Sequence, residues 1–289
     1  MNTGVRSQAP KPAIEVRIWG ARGSVPTPTA ENLRVGGNTS CIEVRIATGE
    51  RFIFDAGTGI RNLGLHEFHI PEQSHDLNIF LTHFHWDHLQ GLPFFTPLYS
   101  AQNTITFHSA CTAEELNRIL AAQMSNPYFP VRFDLVAATM NFEQICARPI
   151  QFGNAKISSV ALHHPGGACG YIIEAGGARV IYATDHEHGE EEADERLIAA
   201  ARDADVLIYD SQFTPEEYGS HIGWGHSTWL EATRIAAAAN AKQLILFHHD
   251  PGHSDETMFN ILEQARDVFP NTDLAIEGMT IPVLPHSGA

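Results

Sequence analysis

One short segment, Thr82 to His88, concentrates the residues best suited to chemistry and reads THFHWDH. Its three histidines and one aspartate directly follow the apolar run LNIFL, which has the composition of a buried strand. Imidazole nitrogens and carboxylate oxygens are common ligands of divalent metal ions, and a loop held by a rigid strand can make them converge. The segment therefore predicts a metal-binding loop rather than a polar turn.

The spacing His-x-His-x-Asp-His resembles the motif of the metallo-β-lactamase superfamily, in which the first two histidines hold one metal and the Asp-His pair holds a second. The resemblance implies three further ligands at the ends of later strands. KISSVALHH ends at His164, ARVIYATD ends at Asp185, and KQLILFH ends at His248. The resemblance covers residues 14 to 285. The implied metal ligands are His83, His85, Asp87, His88, His164, Asp185 and His248.

Within the superfamily, three segments resemble the ribonuclease Z and cyclic-nucleotide phosphodiesterase branch more closely. HPGGACGY favours His164 over His163 as the ligand, and LILFHHD puts His248 in the ligand position. His249 is then a supporting neighbour or a substrate contact. LIYDSQF followed by GWGHSTW resembles that branch's acidic residue and its Gly-His-Ser-Thr motif, which correspond to Asp210 and His226.

The resemblance implies a bridged two-metal site. Two divalent ions about 3.5 to 4 Å apart lower the pKa of a shared water and polarise a phosphoryl oxygen. Asp185 would bridge both ions, and Asp87 would combine metal binding with orientation of the nucleophilic hydroxide. The mixed nitrogen and oxygen ligands favour Zn²⁺ and also admit Mn²⁺ or Fe.

The resemblance makes His226 a candidate general acid or phosphate-stabilising residue, because imidazole can supply a proton to a leaving alkoxide near neutral pH. Asp210 would orient it. The alternative interpretation is that His226 only precedes a helix whose N-cap is Ser227.

The elements that must hold these residues are short strands in the first half and alternating strands and helices in the second, with no linker between. This order predicts two sheets that share one core. The resemblance implies an α/β fold, a four-layer αββα sandwich. We expect residues 1–12 to form a flexible tail and residues 13–289 a single domain. Helices are predicted behind Thr112, over about Ala193 to Arg202, from Ser227 to Asn240, and from Asp255.

The composition limits the partners. The formal net charge of −16 repels polyanions, which disfavours long nucleic acids. No run of about 18 apolar residues and no signal-peptide core occur, so we expect a cytoplasmic protein without a membrane partner. The four cysteines are far apart and are predicted to be buried thiols. Relatives are often homodimers, which makes a homodimer an expectation from resemblance only.

Ribonuclease Z carries a long arm for tRNA between the third histidine and the bridging aspartate. Here two strand-like runs fill the interval from Pro165 to Thr184, which argues against pre-tRNA and for a small phosphodiester such as a cyclic nucleotide. Tyr128, Phe129 and Phe133 either stack on this substrate or pack in the core. The alternatives are a hydrolase of a lactone, thioester or β-lactam, and a non-catalytic metal sensor or di-iron redox protein. His186 and His188, in an acidic loop, are predicted to be solvated.

Overall fold

The protein, as a computed structural model, contains two seven-stranded sheets within the described residues 11–68, 74–145 and 148–285. The first sheet contains β1 (Ile14–Gly20), β2 (Cys41–Ile46), β3 (Arg51–Phe54), β4 (Asp76–Phe80), β5 (Thr104–Ser109), β6 (Thr139–Gln144) and β14 (Thr280–Val283). Its order is β14-β1-β2-β3-β4-β5-β6. The second sheet contains β7 (Ile150–Phe152), β8 (Ala155–Leu162), β9 (Ala168–Ala175), β10 (Ala178–Ala183), β11 (Val206–Asp210), β12 (Leu244–Phe247) and β13 (Thr272–Leu274). Its order is β13-β12-β11-β10-β9-β8-β7.

Helices cover the outer face of each sheet. They are α1 (Gly59–Glu67), α2 (Ala113–Gln123), α3 (Glu191–Ala200), α5 (Trp229–Ala238) and α6 (Asp255–Val268), whereas the short helix α4 (Pro215–Tyr218) buries no residue. Because side chains alternate along a strand, each sheet faces two apolar cores. In β10, Val180 and Tyr182 pack between the sheets, whereas Ile181 and Ala183 pack with α3, α5 and α6. Helices α1 and α2 pack on the other sheet, so the four-layer αββα prediction is confirmed.

Strand direction brings the candidate ligands to one edge of the sandwich. Strands β3 to β6 are parallel, and so are β10 to β13. Strand β8 runs in the direction of β10 because both are antiparallel to β9. His164 follows β8, Asp185 follows β10, and His248 directly follows β12. The carboxyl ends of the strands therefore deliver these side chains to a common region.

The predicted helices are present with shifted ends. Oγ1 of Thr112 accepts a hydrogen bond from the backbone N–H of Glu115 and caps α2, as predicted. The prediction that Ser227 caps the later helix is wrong, because Thr228 caps α5 by accepting from Glu231. The hydroxyl of Ser227 instead donates to the carbonyl oxygen of His186, 2.7 Å away.

Several expectations concern the chain as a whole. Of the predicted tail, residues 1–10 lie outside the described residues, and the single domain over 13–289 stays a prediction.

Cys41 and Cys169 are buried free thiols as predicted, Cys111 is only partly buried, and Cys146 lies outside the described residues. None of the helices in the described ranges is long and apolar enough to span a membrane.

Candidate metal centre

The seven side chains predicted as ligands form one cluster at the strand ends. His83, His85 and His164 offer nitrogen atoms that lie within 4.8 Å of one another. A second group, Asp87, His88 and His248, meets the same distance. Of these six side chains only His85 is exposed, so the cluster is mostly buried and reaches solvent at His85.

Asp185 lies between the two groups. Its Oδ1 is 3.7 Å from Nε2 of His83, and its Oδ2 is 3.2 Å from Nε2 of His88. Oδ1 is also 3.4 Å from Nε2 of His248. The Asp185 carboxylate thus faces both histidine groups, with Oδ1 near His83 and His248 and Oδ2 near His88.

Hydrogen bonds outside the cluster fix the orientation of three imidazoles. Nδ1 of His88 lies 2.9 Å from Oδ2 of Asp55, and Nδ1 of His164 lies 2.8 Å from the carbonyl oxygen of Gly225. Nδ1 of His248 lies 3.0 Å from Oε1 of Gln212. Since these partners accept, each Nδ1 carries a proton, and in the neutral ring Nε2 presents a lone pair to the cluster. Metal-ligating histidines in proteins are held in the same way.

The donor atoms of the cluster fit a bound cation. Nε2 of His88 and Nε2 of His248 are only 3.3 Å apart, although neither carries a proton in the neutral tautomer that its Nδ1 contact selects. Two facing lone pairs repel each other unless a positive charge lies between them. Nε2 of His83 is buried without a hydrogen-bond partner among the described residues, which is costly unless it binds a ligand.

The histidines of the cluster differ in the direction in which their pKa values are shifted. Burial lowers the pKa of His83, His85 and His164, so these imidazoles are neutral and able to bind a metal. Burial also lowers the pKa of His248, but the carboxylates led by Asp185 outweigh it and raise the pKa to about 9. The half of the site nearest the carboxylates thus stabilises positive charge.

Backbone conformation at the strand ends is unusual. Asp55, Asp185 and His248 have φ angles of 61°, 58° and 60°, and Ser24 has 62°. Residues other than glycine adopt this left-handed region at a cost of about 1 kcal/mol or more, and such strain concentrates at functional sites. The strained Ser24 directs its backbone N–H to Oδ2 of Asp87 at 2.8 Å. The left-handed backbone conformation thus accompanies the residues that direct a side chain or a backbone N–H towards the cluster.

His226 and Asp210 form a pair beside the cluster. Nδ1 of His226 lies 2.8 Å from Oδ2 of Asp210, and its ring stacks on His248 with a centroid distance of 4.8 Å. Nε2 of His226 has no hydrogen-bond partner among the described residues. Asp210 also accepts from the backbone N–H groups of Asp185, Gln212 and Ser227. With about four acceptor positions filled, this carboxylate orients His226 and has no free position for a cation.

Several other sequence-based expectations turn out differently. His186 is fully buried and bonded to Asp194 at 2.8 Å, so its predicted solvation is wrong, whereas His188 is half-buried. His249 is buried against the carbonyl oxygen of Ala275, and its burial lowers its pKa to about 3. Phe133 packs in the core between the first sheet and α2 and is not available for stacking.

His253, just before α6, pairs with the Glu217 carboxylate at 2.9 Å. Ser254, and not His253, caps α6 by accepting from Thr257. The supporting contacts of Ser24, Gln212 and Gly225 were missed, because an amide side chain or a backbone group has no recognisable spacing in a sequence. The position of Gln212, two residues after Asp210 at the end of β11, was the one available signal.

Comparison with known proteins agrees with this fold. A family model described as "Beta-lactamase superfamily domain" matches residues 50–249. A ribonuclease Z from Prochlorococcus marinus (strain MIT 9515) is 24% identical over 328 residues, covering 93% of this chain and all of the relative.

Two solved structures share the fold. The metallo-β-lactamase fold protein YhfI from Bacillus subtilis has a TM-score of 0.71 and 19% identity, covering 94% of this chain and 99% of that one. A diphosphatase from the PhnP family has a TM-score of 0.67 and 20% identity, covering 93% and 97%.

Proposed function

The chain belongs to the metallo-β-lactamase superfamily, and from this premise we propose that it is a two-metal phosphodiesterase that hydrolyses small phosphodiesters. The observation that carries the proposal is the pair formed by His226 and Asp210 beside the cluster. Hydrolysis of a diester requires a proton for the leaving alkoxide, and this pair can supply one. A lactone or β-lactam hydrolase would not depend on it.

The chain's own residues would hold the two ions in separate groups. His83, His85 and His164 would bind one, Asp87, His88 and His248 the other, and Asp185 would bind both. Two divalent cations, of which Zn²⁺ suits this donor set best, would supply polarisation of a phosphoryl oxygen and a water of lowered pKa. Asp87, held by the backbone N–H of Ser24, would also orient the attacking group.

His226 would act as the general acid through Nε2. Its Nδ1 proton is held by Asp210, which fixes the ring plane and leaves Nε2 as the position from which a proton is donated. Because the ring of His226 stacks on that of His248, the donated proton would be released next to the metal cluster. In this arrangement His226 would protonate the leaving oxygen of a substrate that is bound at the cluster.

The charge and shape of the chain favour a small substrate. A net charge of −16 repels polyanions such as tRNA. The interval between His164 and Asp185, where the sequence predicted no arm, is occupied by β9 and β10. The relatives' names, ribonuclease Z and diphosphatase, support cleavage of a P–O bond. A cyclic nucleotide is the representative substrate that we propose.

The test compares three substrates with protein of measured metal content. Bis(p-nitrophenyl) phosphate, a lactone and a chromogenic β-lactam are each offered to zinc-loaded protein and to protein stripped with a chelator. We expect zinc-dependent hydrolysis of the phosphodiester alone, and restoration of activity when zinc is returned. Hydrolysis of only the carboxylic substrates would overturn the proposal and the role given to His226.

A further inference from the structure

A cavity of about 650 Å³ adjoins the metal-binding loop and plays no part in the chemistry described above. Its walls come from that loop, from the following turn with Phe94, from α2, and from the segment with Tyr128 and Phe129. Its volume lies within the range of about 300–1,000 Å³ that is typical of sites for small molecules. The cavity is therefore large enough for part of a substrate.

The walls are aromatic and uncharged. Trp86 is 81% exposed, Tyr128 is 78% exposed and Phe94 is 55% exposed. Phe94 contacts Phe129 edge to face, at a centroid distance of 5.8 Å, while neither Trp86 nor Tyr128 has a ring partner among the described residues. Among the residues that the structure describes, no acidic or basic side chain lines the cavity. Exposed aromatic surface of this kind marks a binding site for an apolar group.

The cavity shares the metal-binding loop with the candidate metal centre, because Phe84 and Trp86 of that loop line it. Trp86 is the residue between His85 and Asp87, and consecutive Cα atoms are only about 3.8 Å apart. Nε2 of Gln123, on α2, donates to the carbonyl oxygen of Leu89 at 2.7 Å and so ties the far wall to the metal-binding loop. A group bound against Trp86 would therefore lie beside the loop that carries four of the proposed ligands.

We propose that this cavity binds a planar aromatic group of the substrate, such as a nucleobase or an aryl ring, while the phosphodiester lies at the metal centre. The proposal rests on the phosphodiesterase function proposed above. Flat rings with free faces, Trp86 and Tyr128 above all, suit stacking, which tolerates any base because every base has a π-face. The cavity would thus select aromatic diesters over aliphatic ones.

The experiment uses three diesters that share a p-nitrophenyl leaving group and carry methyl, phenyl or hexyl as the second group. We expect kcat/KM of the zinc-loaded protein to be about tenfold or more higher for phenyl than for methyl. Tyr128→Ala and Phe94→Ala should each reduce this ratio several-fold. They are preferred to a change at Trp86, which adjoins two proposed ligands. Leu135→Ala, at a 68% exposed residue outside the lining, is the matched control and should keep the ratio.

Two results would overturn the cavity's assignment. Equal kcat/KM for all three diesters would show that the second group is not recognised. A hexyl diester better than the phenyl diester would show that the cavity takes alkyl chains.

Adenosine binding, followed by quenching of tryptophan fluorescence, separates this inference from the proposed function. Saturable quenching that Tyr128→Ala weakens, in a protein that hydrolyses no diester, would support the cavity and overturn the phosphodiesterase. Diester hydrolysis with no preference for phenyl and no adenosine binding would overturn the cavity alone.

Discussion

The carboxylate of Asp55 and the imidazole of His88 meet in the core behind the metal centre, with Oδ2 2.9 Å from Nδ1. Asp55 also accepts from the backbone N–H and hydroxyl of Thr82 and from the hydroxyl of Tyr182. All four donors point at one carboxylate, so its two oxygens define which nitrogen of His88 keeps the proton. The ring can therefore offer Nε2 to a metal.

Asp55→Asn should lower zinc affinity by about 10- to 100-fold, the usual effect of losing such a supporting partner. The amide NH₂ would face donors, and His88 would relieve the conflict by moving its proton to Nε2, where it blocks metal binding. Competition with a chromophoric chelator measures the affinity. Asp76→Asn, at an exposed position that opens β4, is the matched control. Equal affinities in the two variants would contradict this role of Asp55.

Gly225 should be required for the position of His164. A Cβ atom at Gly225 would overlap Nδ1 of His164 and Cδ of Pro165. Gly225→Ala should therefore displace the imidazole and reduce zinc content after dialysis by half or more, as measured by elemental analysis. Gly223→Ala is the matched control, because it has a similar positive φ but no atom within 4 Å of its Cβ. Full zinc content in Gly225→Ala would show that His164 is not a ligand or that the loop yields freely.

His108 should make the fold sensitive to acid. Burial lowers its pKa to about 4, and its ring stacks on Phe80 at 4.3 Å while Nε2 contacts Oδ1 of Asn78. Glu143, 3.7 Å from Nδ1, is more than half exposed and does not offset the burial. The unfolded chain takes up a proton near the ordinary pKa of 6.5, whereas the folded chain does so only near 4.

The free energy of unfolding should thus be highest above pH 6.5 and fall by on the order of 3 kcal/mol through this group as the pH drops to about 4. His108→Phe, which keeps the stacked ring, should flatten that part of the curve. Urea denaturation from pH 7 to pH 4, with chelator present in both proteins, measures the difference. Identical pH profiles for the two proteins would contradict the assignment.

The sequence predicted the metal-binding loop because its ligands are nearly contiguous, and the order of its strand-like and helix-like runs predicted two sheets that share one core. The four-layer sandwich itself was implied by the family resemblance. Helix α1 was not predicted. Its segment, GIRNLGLHE, begins with glycine and contains another, which disfavours a helix. It forms because Ile60 and Leu63 are buried in the core beside the first sheet. Tertiary packing of this kind cannot be derived from local residue preference.

The burial of individual polar side chains also could not be predicted from the sequence. His186 lies in the acidic segment DHEHGEEE, yet it is buried, because β10 and α3 bring it to Asp194. Glu187, in the same segment, is also buried and accepts from the backbone N–H groups of Gly223 and Gly225. It thereby holds the loop that leads to His226. A segment rich in charged residues is typical of a solvated loop. Here the backbone N–H groups of Gly223 and Gly225, which are distant in the sequence, bind Glu187 in the interior.

The role of His226 can be separated from metal binding by the choice of leaving group. His226→Ala should keep the zinc content of the wild type, since the seven proposed ligands are intact. Its kcat should fall by about 10²-fold or more for a diester with an alkyl leaving group, which needs a proton. The loss should be smaller for p-nitrophenolate, which leaves without one.

His221→Ala, in the same segment but stacked on Phe213, is the matched control and should retain wild-type kcat with both leaving groups. Asp210→Asn should lower kcat as His226→Ala does, because Asp210 acts through the orientation of that ring. The similarity between the two variants should be weaker in KM. An equal loss for both leaving groups in His226→Ala would argue that His226 stabilises the phosphate and does not donate the proton. Unchanged turnover would remove it from the mechanism.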